Sequence, residues 1–431
     1  MQTQAPIPRM IEVRQTYPPS MQLDIRALVA EQLAASGVLE QVKPGARIAV
    51  GVGSRGISNL RAIVKATLDG LAAAGARPFI VPAMGSHGGA TPEGQTAVLA
   101  EYGVTAESLG VPVEASMAVR KIGEVFGGRD VVFSDAALDA DAVVAVNRVK
   151  PHTDFQGALG SGIQKMLAIG FGKRAGASHV HRAAANEGYV EAISEYARVI
   201  LETVPVLCGV AIVEDQHHQT AEIEVLPRKE IAEGERRLLA LADALLPRLP
   251  LDEIDLLIVD KMGKDISGTG MDTNVIGRDI MGYSALLHDN GHSPFGNRSP
   301  LIHRILVCAL SEATHGNGTG LGLADFATSR LVKALDLRAT YANGLTSLGL
   351  MGPKIPIHFD TDREAIEQAL GTLASMHPER LRVVRIANTL QLEKLLVSAS
   401  CAEALKGRAD LTLAGIAEEM RFDAEGNLLP F

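Results

Sequence analysis

Short apolar runs alternate along the chain with longer amphipathic stretches. Residues 46–52 (ARIAVGV), 78–84 (PFIVPAM), 142–146 (AVVAV) and 206–213 (VLCGVAIV) read as strands buried on both faces of a sheet. Between them the pattern predicts helices over residues 24–42, opened by Asp24, and over 58–74, 186–202 and 228–246. Turns fall at Lys43-Pro44-Gly45 and at Gly75. Strand, helix, strand in that order is a βαβ unit, which calls for a parallel sheet. Residues 247–252 read as a linker, and a new strand begins at 254–259. The prediction is therefore α/β: two α/β domains with mainly parallel sheets and an active-site cleft between them. The boundaries expected are 1–250 and 251–431, with the last ~30 residues packing back on the first domain.

The strand at 142–146 runs into a stretch that breaks this rhythm: VKPHTDFQGALGSGIQKMLAIGFGKRAGASHVHR, residues 149–182. Its glycines, His152, Lys165, His179 and His181 read as a long loop leaving a strand end, where α/β proteins place chemistry. The first strand leads into Gly51-Val52-Gly53-Ser54-Arg55-Gly56, a formal G-x-G-x-x-G. A dinucleotide site also wants a carboxylate at the end of the next strand, and Val81-Pro82-Ala83-Met84 has none. The remaining reading is an anion cradle from Ser54, Arg55 and Gly56, or a plain tight turn. The second strand ends in Gly85-Ser86-His87-Gly88-Gly89, with Thr91 as a helix N-cap and Pro92 at the first helical position. His87, between glycines at a strand's carboxyl end, is a candidate functional residue.

Composition narrows the classes. Of 431 residues 47% are apolar, enough for a sizeable core, yet no apolar run reaches the ~18 residues of a membrane helix. There is no signal-peptide h-region, and Cys208, Cys308 and Cys401 are too dispersed for a disulfide framework, so a cytoplasmic protein is expected. A formal net charge of −9 argues against nucleic-acid binding.

The order strand–GSRG–helix, then G-S-H-x-x-x-T-P-E, K-P-H, S-G-x-x-K and a downstream histidine resembles the nickel-dependent lactate racemase family of 2-hydroxy acid racemases and epimerases. The resemblance covers about residues 45–185 and is loose beyond them. It implies His87 and His152 as the acid/base pair and Lys165 as the tether of a nickel-pincer nucleotide derived from a pyridinium ring. It further implies His181 (with His179 as the alternative) as nickel ligand, and Arg55 on the cofactor phosphate or the substrate. Two histidines suit a racemase, because imidazole serves as acid or base near neutral pH and inversion needs a group on each face of the carbon. The family carries a Gln and a Lys after its Asp-x-Asn; here those positions are Gly277 and Ile280, with Arg278 between them as the substrate candidate. Gly88 stands where an arginine often follows the first histidine. The expected substrate is thus a small anionic 2-hydroxy acid other than lactate, bulkier or more polar, and the implied partners are cofactor-synthesis enzymes. Two other classes stay open: a zinc hydrolase on His152, His179 and His181, and a non-catalytic mononucleotide-binding protein.

Overall fold

The first strand, β1 (Met10–Gln15), belongs not to the residues that follow it but to the far half of the chain. The computed structural model describes residues 6–54, 56–153, 155–278, 299–373 and 380–431. These divide into two compact units: Pro19–Leu246, and Pro247–Phe431 together with Met1–Pro18.

The unit Pro19–Leu246 is built on β2 (Arg47–Val52), β3 (Arg77–Pro82), β6 (Ala142–Arg148), β7 (Val206–Glu214) and β8 (Thr220–Pro227), with a separate hairpin of β4 (Val119–Val125) and β5 (Arg129–Ser134). The sheet order is β3-β2-β6-β7-β8; the first four strands are parallel and β8 is antiparallel at the edge. Apolar cores cover both faces. Alternation along β2 explains this: Ile48, Val50 and Val52 face the helices Ile25–Ala35 and Leu60–Ala73, and Ala49 faces the opposite core. Gly51 points to that second core as well, and a Cβ there would lie 2.1 Å from the Phe171 ring. The first glycine of the formal dinucleotide motif is therefore a packing glycine.

β2 connects to β3 on one side while β6 lies on its other side. The sheet's switch point is thus the gap between the carboxyl ends of β2 and β6, where open α/β sheets bind ligands.

The other unit carries β9 (Glu253–Met262), β10 (Leu301–Leu310), β11 (Phe326–Thr328), β12 (Ile357–Phe359), β13 (Val383–Asn388), β14 (Gln391–Ser398) and β15 (Leu411–Glu418). With β1 they form one sheet, β12-β11-β10-β9-β13-β14-β1-β15. Strands β9 to β13 are parallel; β14, β1 and β15 alternate in direction. The expected assignment of residues 1–250 to one domain is corrected at its start, because β1 is hydrogen-bonded on both edges, to β14 and to β15. In the tail, which is expected to pack back on the first domain, β15 pairs with β1, and Met420, Phe422 and Leu428 join the core beside Leu256 and Ile258. Among the described residues no helix is long and apolar enough to cross a membrane.

Candidate active site

Three strand ends supply the site. At the end of β2, Gly53 has room for nothing larger without pressing on Met166 and Asn147, whose atoms would sit 3.3 and 3.4 Å from a Cβ. Ser54 follows; its hydroxyl is hydrogen-bonded to Nδ1 of His87, and its carbonyl accepts from the Tyr102 hydroxyl at 3.2 Å. Gly56 is in contact range of the same tyrosine, and Arg55 lies outside the described residues.

At the end of β3 the chain turns through Gly85, at φ +62°, into His87. The turn is pinned from three sides. Gly85 N–H donates to the Gly170 carbonyl at 3.1 Å. Gln95 Nε2 donates to the carbonyls of Gly85 (2.9 Å) and His87 (3.3 Å). Lys173 Nζ donates to the Pro82 carbonyl at 2.5 Å and to Gln95 Oε1 at 3.3 Å. Lys173 is wholly buried and holds φ +55°, a backbone region that is strained for a side chain of its size. Burial lowers its pKa to about 8. Thr91 caps the helix Pro92–Glu101, accepting from Gly94 N–H at 3.0 Å, as its sequence setting predicts.

At the end of β6, Asn147 Nδ2 donates to the Gly162 carbonyl at 2.7 Å, and Arg148 is ion-paired with Glu214 from the end of β7. Lys150 and Ser161 exchange two backbone hydrogen bonds (2.9 and 2.8 Å), which closes the intervening segment into a loop. His152, on that loop, is 9% exposed and touches the Lys165 amine through Nε2.

Residues 163–170 and 173–187 are helical, where the sequence predicts a loop: Ile163–Lys165, a π-helical turn over Met166–Gly170, then Lys173–Glu187. Lys165 ends the first turn, beside the π-turn, a distortion that is common at functional sites. The helix also separates the two rival histidines. His179 and His181 are two apart, hence on different sides of it. His179 Nδ1 is hydrogen-bonded to the Asp130 carbonyl of the β4–β5 hairpin at 3.0 Å. His181 Nδ1 is hydrogen-bonded to the Tyr189 hydroxyl at 3.1 Å, with the rings edge-on at 5.8 Å. From Tyr189 the contacts run back to Lys165. Tyr189 stacks on Phe155 (5.1 Å between centroids), and Phe155 stacks on His152 (4.3 Å), which meets the lysine. The structure thus links His152, Lys165 and His181 by direct contacts, links His87 to Ser54, and leaves His179 with the hairpin.

Glu235, on the helix Ile231–Ala244, lies under the start of this helical run and is 1% exposed. Its Oε2 accepts from Gln164 N–H at 2.9 Å. Burial pushes its carboxyl up to about 7, against the pull of the Gln164 hydrogen bond.

Two expectations change. Arg278 is not presented to a substrate: it is buried, paired with Asp325 at 2.7 Å, and donates to the carbonyls of Leu323, Ile302 and His303. Its guanidinium is committed to tying its own unit together. The zinc triad of His152, His179 and His181 loses His179, which the helix carries on a different side from His181, against the β4–β5 hairpin. Among the described residues the group of three metal-ligating side chains with donor atoms within 4.8 Å of one another is Glu253, Asp255 and His303. It sits at the amino ends of β9 and β10, and Arg382 already pairs with Glu253 (2.6 Å) and Asp255 (3.0 Å), which holds the Glu253 carboxyl down at about 2. A metal ion there would have to displace a resident cation. Gly277 terminates a short helical turn at φ +66°, and Ile280 lies outside the described residues.

A family model described as a domain of unknown function (DUF362) matches residues 53–229, a span that begins at Gly53 and contains every residue of the site just described except Glu235. No curated protein matches the chain. Among solved structures the chain is similar to a Thermotoga maritima protein, with 13% identity, coverage of 59% of this chain and 69% of that one, and a TM-score of 0.46. It is also similar to the lactate racemase apoprotein of Thermoanaerobacterium thermosaccharolyticum, with 13% identity, coverage of 70% and 74%, and a TM-score of 0.44.

Phe155, Tyr189, Lys173, Gln95 and Glu235 are absent from the sequence-based list. Tyr189 carries a usable signal, since it lies eight residues after His181 across a glycine break, within reach of the same strand end. Lys173 and Glu235 carry none, because what distinguishes them is burial.

Proposed function

We propose that the protein is a racemase or epimerase of a 2-hydroxy acid, working by reversible proton-coupled hydride transfer with a lysine-tethered nickel-pincer nucleotide. The observation that carries the reading is the contact chain Lys165–His152–Phe155–Tyr189–His181 at the carboxyl end of β6, beside the Ser54–His87 pair at the end of the neighbouring strand. The motif resemblance supports it, since the residues it singles out as tether, base and nickel ligand are those in this chain of contacts.

The donor set fits such a cofactor. Imidazole suits nickel, and His181 has its Nδ1 hydrogen-bonded by a phenol, the kind of outer partner that orients ligating histidines. An amine can form a covalent bond to an acyl or thioacyl carbon, the role given to Lys165. Ser54, Arg55 and Gly56, between β2 and the helix Leu60–Ala73, would bind the phosphate. When bound, the group supplies a reversible hydride acceptor for C2 of the substrate. His87 and His152 then manage the hydroxyl proton, one accepting it from one enantiomer and the other from its mirror image. Ser54 orients His87 through Nδ1, and Phe155 supports the face of His152. Acylating Lys165 removes its positive charge and with it the ammonium that His152 Nε2 meets in this structure. The substrate we propose is bulkier or more polar than lactate, because the Gln and Lys expected in the family's second loop are missing.

The test is expression together with cofactor-synthesis enzymes, followed by intact mass and nickel content. The wild-type protein should carry the adduct and interconvert enantiomers of an accepted 2-hydroxy acid. Lys165→Ala should be folded and lack the adduct. His87→Ala and His152→Ala should keep it and lose ~10²–10⁴-fold in racemisation rate. An adduct that persists on Lys165→Ala overturns the reading.

A further inference from the structure

Among the described residues of the site, one wholly interior carboxylate, Glu235, is absent from the motif. Glu235 approaches from the helix Ile231–Ala244, and its environment is specific. Oε2 accepts the Gln164 N–H at 2.9 Å. Oε1 is fully buried with no hydrogen-bond partner. The same oxygen would lie 2.1 Å from a Cβ at Gly162. Gly162 itself is in extended backbone (φ 173°), so glycine is required there for clearance rather than for conformation. Asn147 Nδ2, from β6, donates to the Gly162 carbonyl at 2.7 Å. The short segment from Gly162 to Gln164 is thus held by both a carboxylate and an amide, and Lys165 is the next residue.

We propose that Glu235 is the positioning residue for Lys165: its carboxylate seats the backbone of residues 162–164 and thereby sets the lysine amine against His152. An apolar residue of similar size would fill the space but leave the buried Gln164 N–H without its acceptor, and the turn would have to move to satisfy it. The carboxylate fixes the turn because Oε2 accepts the Gln164 N–H while Oε1 packs against Gly162. The glycine of Ser161-Gly162-Ile163-Gln164-Lys165 and the distant Glu235 are therefore one device, although 73 positions of sequence separate carboxylate and glycine (235 − 162). The functional meaning rests on Lys165 being the cofactor tether; the seating does not.

The experiment reads the Lys165–His152 contact through the nitrogen resonances of the His152 ring in the protein without cofactor. Glu235→Gln keeps an acceptor for the backbone and should leave the His152 Nε2 resonance at its wild-type position. Glu235→Ala should move it to the position seen in Lys165→Met, where the contact is absent. Wild-type resonances in a folded Glu235→Ala protein would overturn the proposal, as would a Glu235→Gln protein that behaves like the alanine variant. Should Glu235→Ala not fold, amide hydrogen exchange in the wild-type protein decides: Gln164 N–H should be strongly protected, and exchange at the rate of an unprotected amide refutes the seating. The racemase reading fails separately. If Lys165→Ala still acquires the cofactor adduct while Glu235→Ala moves the His152 resonance, the tether assignment falls and the positioning role stands.

Discussion

Residue chemistry at the site is set by what each side chain is tied to. His181 and His179 are equivalent by sequence, yet the helix points one at Tyr189 and the other at the Asp130 carbonyl. Sequence spacing alone leaves the two as rivals; knowing that residues 173–187 are helical separates them. The role of Tyr189 can be tested. Tyr189→Phe keeps the ring stack with Phe155 and removes only the hydroxyl that engages His181. Under the proposed function, nickel retention should weaken by about 10–100-fold, the usual effect of losing an outer-shell partner. The measurement is nickel per protein after graded chelator dialysis; unchanged retention would detach Tyr189 from the metal. A second outcome belongs to Glu235. Its folded pKa of about 7 lies above the ordinary 4.5, so the native state holds a proton that the unfolded chain has released between those values. Stability from this group is therefore full below pH 4.5 and is lost as pH rises toward 7. The loss is on the order of 3 kcal/mol, which Glu235→Gln should largely remove. Urea midpoints at pH 5 and pH 8 should differ less in the variant than in the wild type.

At the scale of elements, the apolar runs give β2, β3, β6 and β7 to within a residue or three at their ends, and the Thr91–Pro92 helix start is legible from capping rules. The failure is the helical run from Ile163 to Glu187. Its glycines read as loop formers, but they occupy close approaches within and between its packed helical segments. A Cβ at Gly170 would lie 2.6 Å from the Ala83 carbonyl, and one at Gly172 would lie 2.7 Å from the Ala168 carbonyl. Small residues here let the helix lie against the end of β3 and against its own next turn, a tertiary demand that local propensity opposes. The Gly162–Glu235 pair makes the same point measurable. Gly162→Ala forces a Cβ against the carboxylate and should cost about 1–3 kcal/mol, the range for overpacking. In Glu235→Ala the obstacle is gone, so the double variant should be less destabilised than the sum of the two single changes. Strict additivity in a denaturant-based double-mutant cycle would mean that the two residues do not meet.

For the whole molecule, the part that sequence reading misplaces is the chain's beginning. Residues 10–15 alternate too weakly to announce a partner, and strand pairing across nearly the full chain length has no local signature. The structure places β1 inside the sheet of the later unit, hydrogen-bonded to β14 on one edge and β15 on the other, with Val13 wholly buried. Gln15 adds to the attachment by donating to the Arg248 and Leu392 carbonyls at 2.9 and 2.7 Å. The two units therefore differ in what they need to fold. Residues 19–246 contain all five strands of their sheet and both covering cores. Expressed alone they should fold and unfold cooperatively. Residues 247–431 lack the strand that joins β14 to β15, so β15 would lose its partner and β14 would expose an open edge. That fragment should be aggregation-prone by itself and become soluble and cooperative when a peptide of residues 1–18 is supplied, because the peptide completes the sheet. The check is thermal unfolding of each fragment with and without the peptide. A 247–431 fragment that unfolds cooperatively alone, with a midpoint that the peptide does not raise, would show that β1 is an ornament on the sheet rather than one of its structural strands.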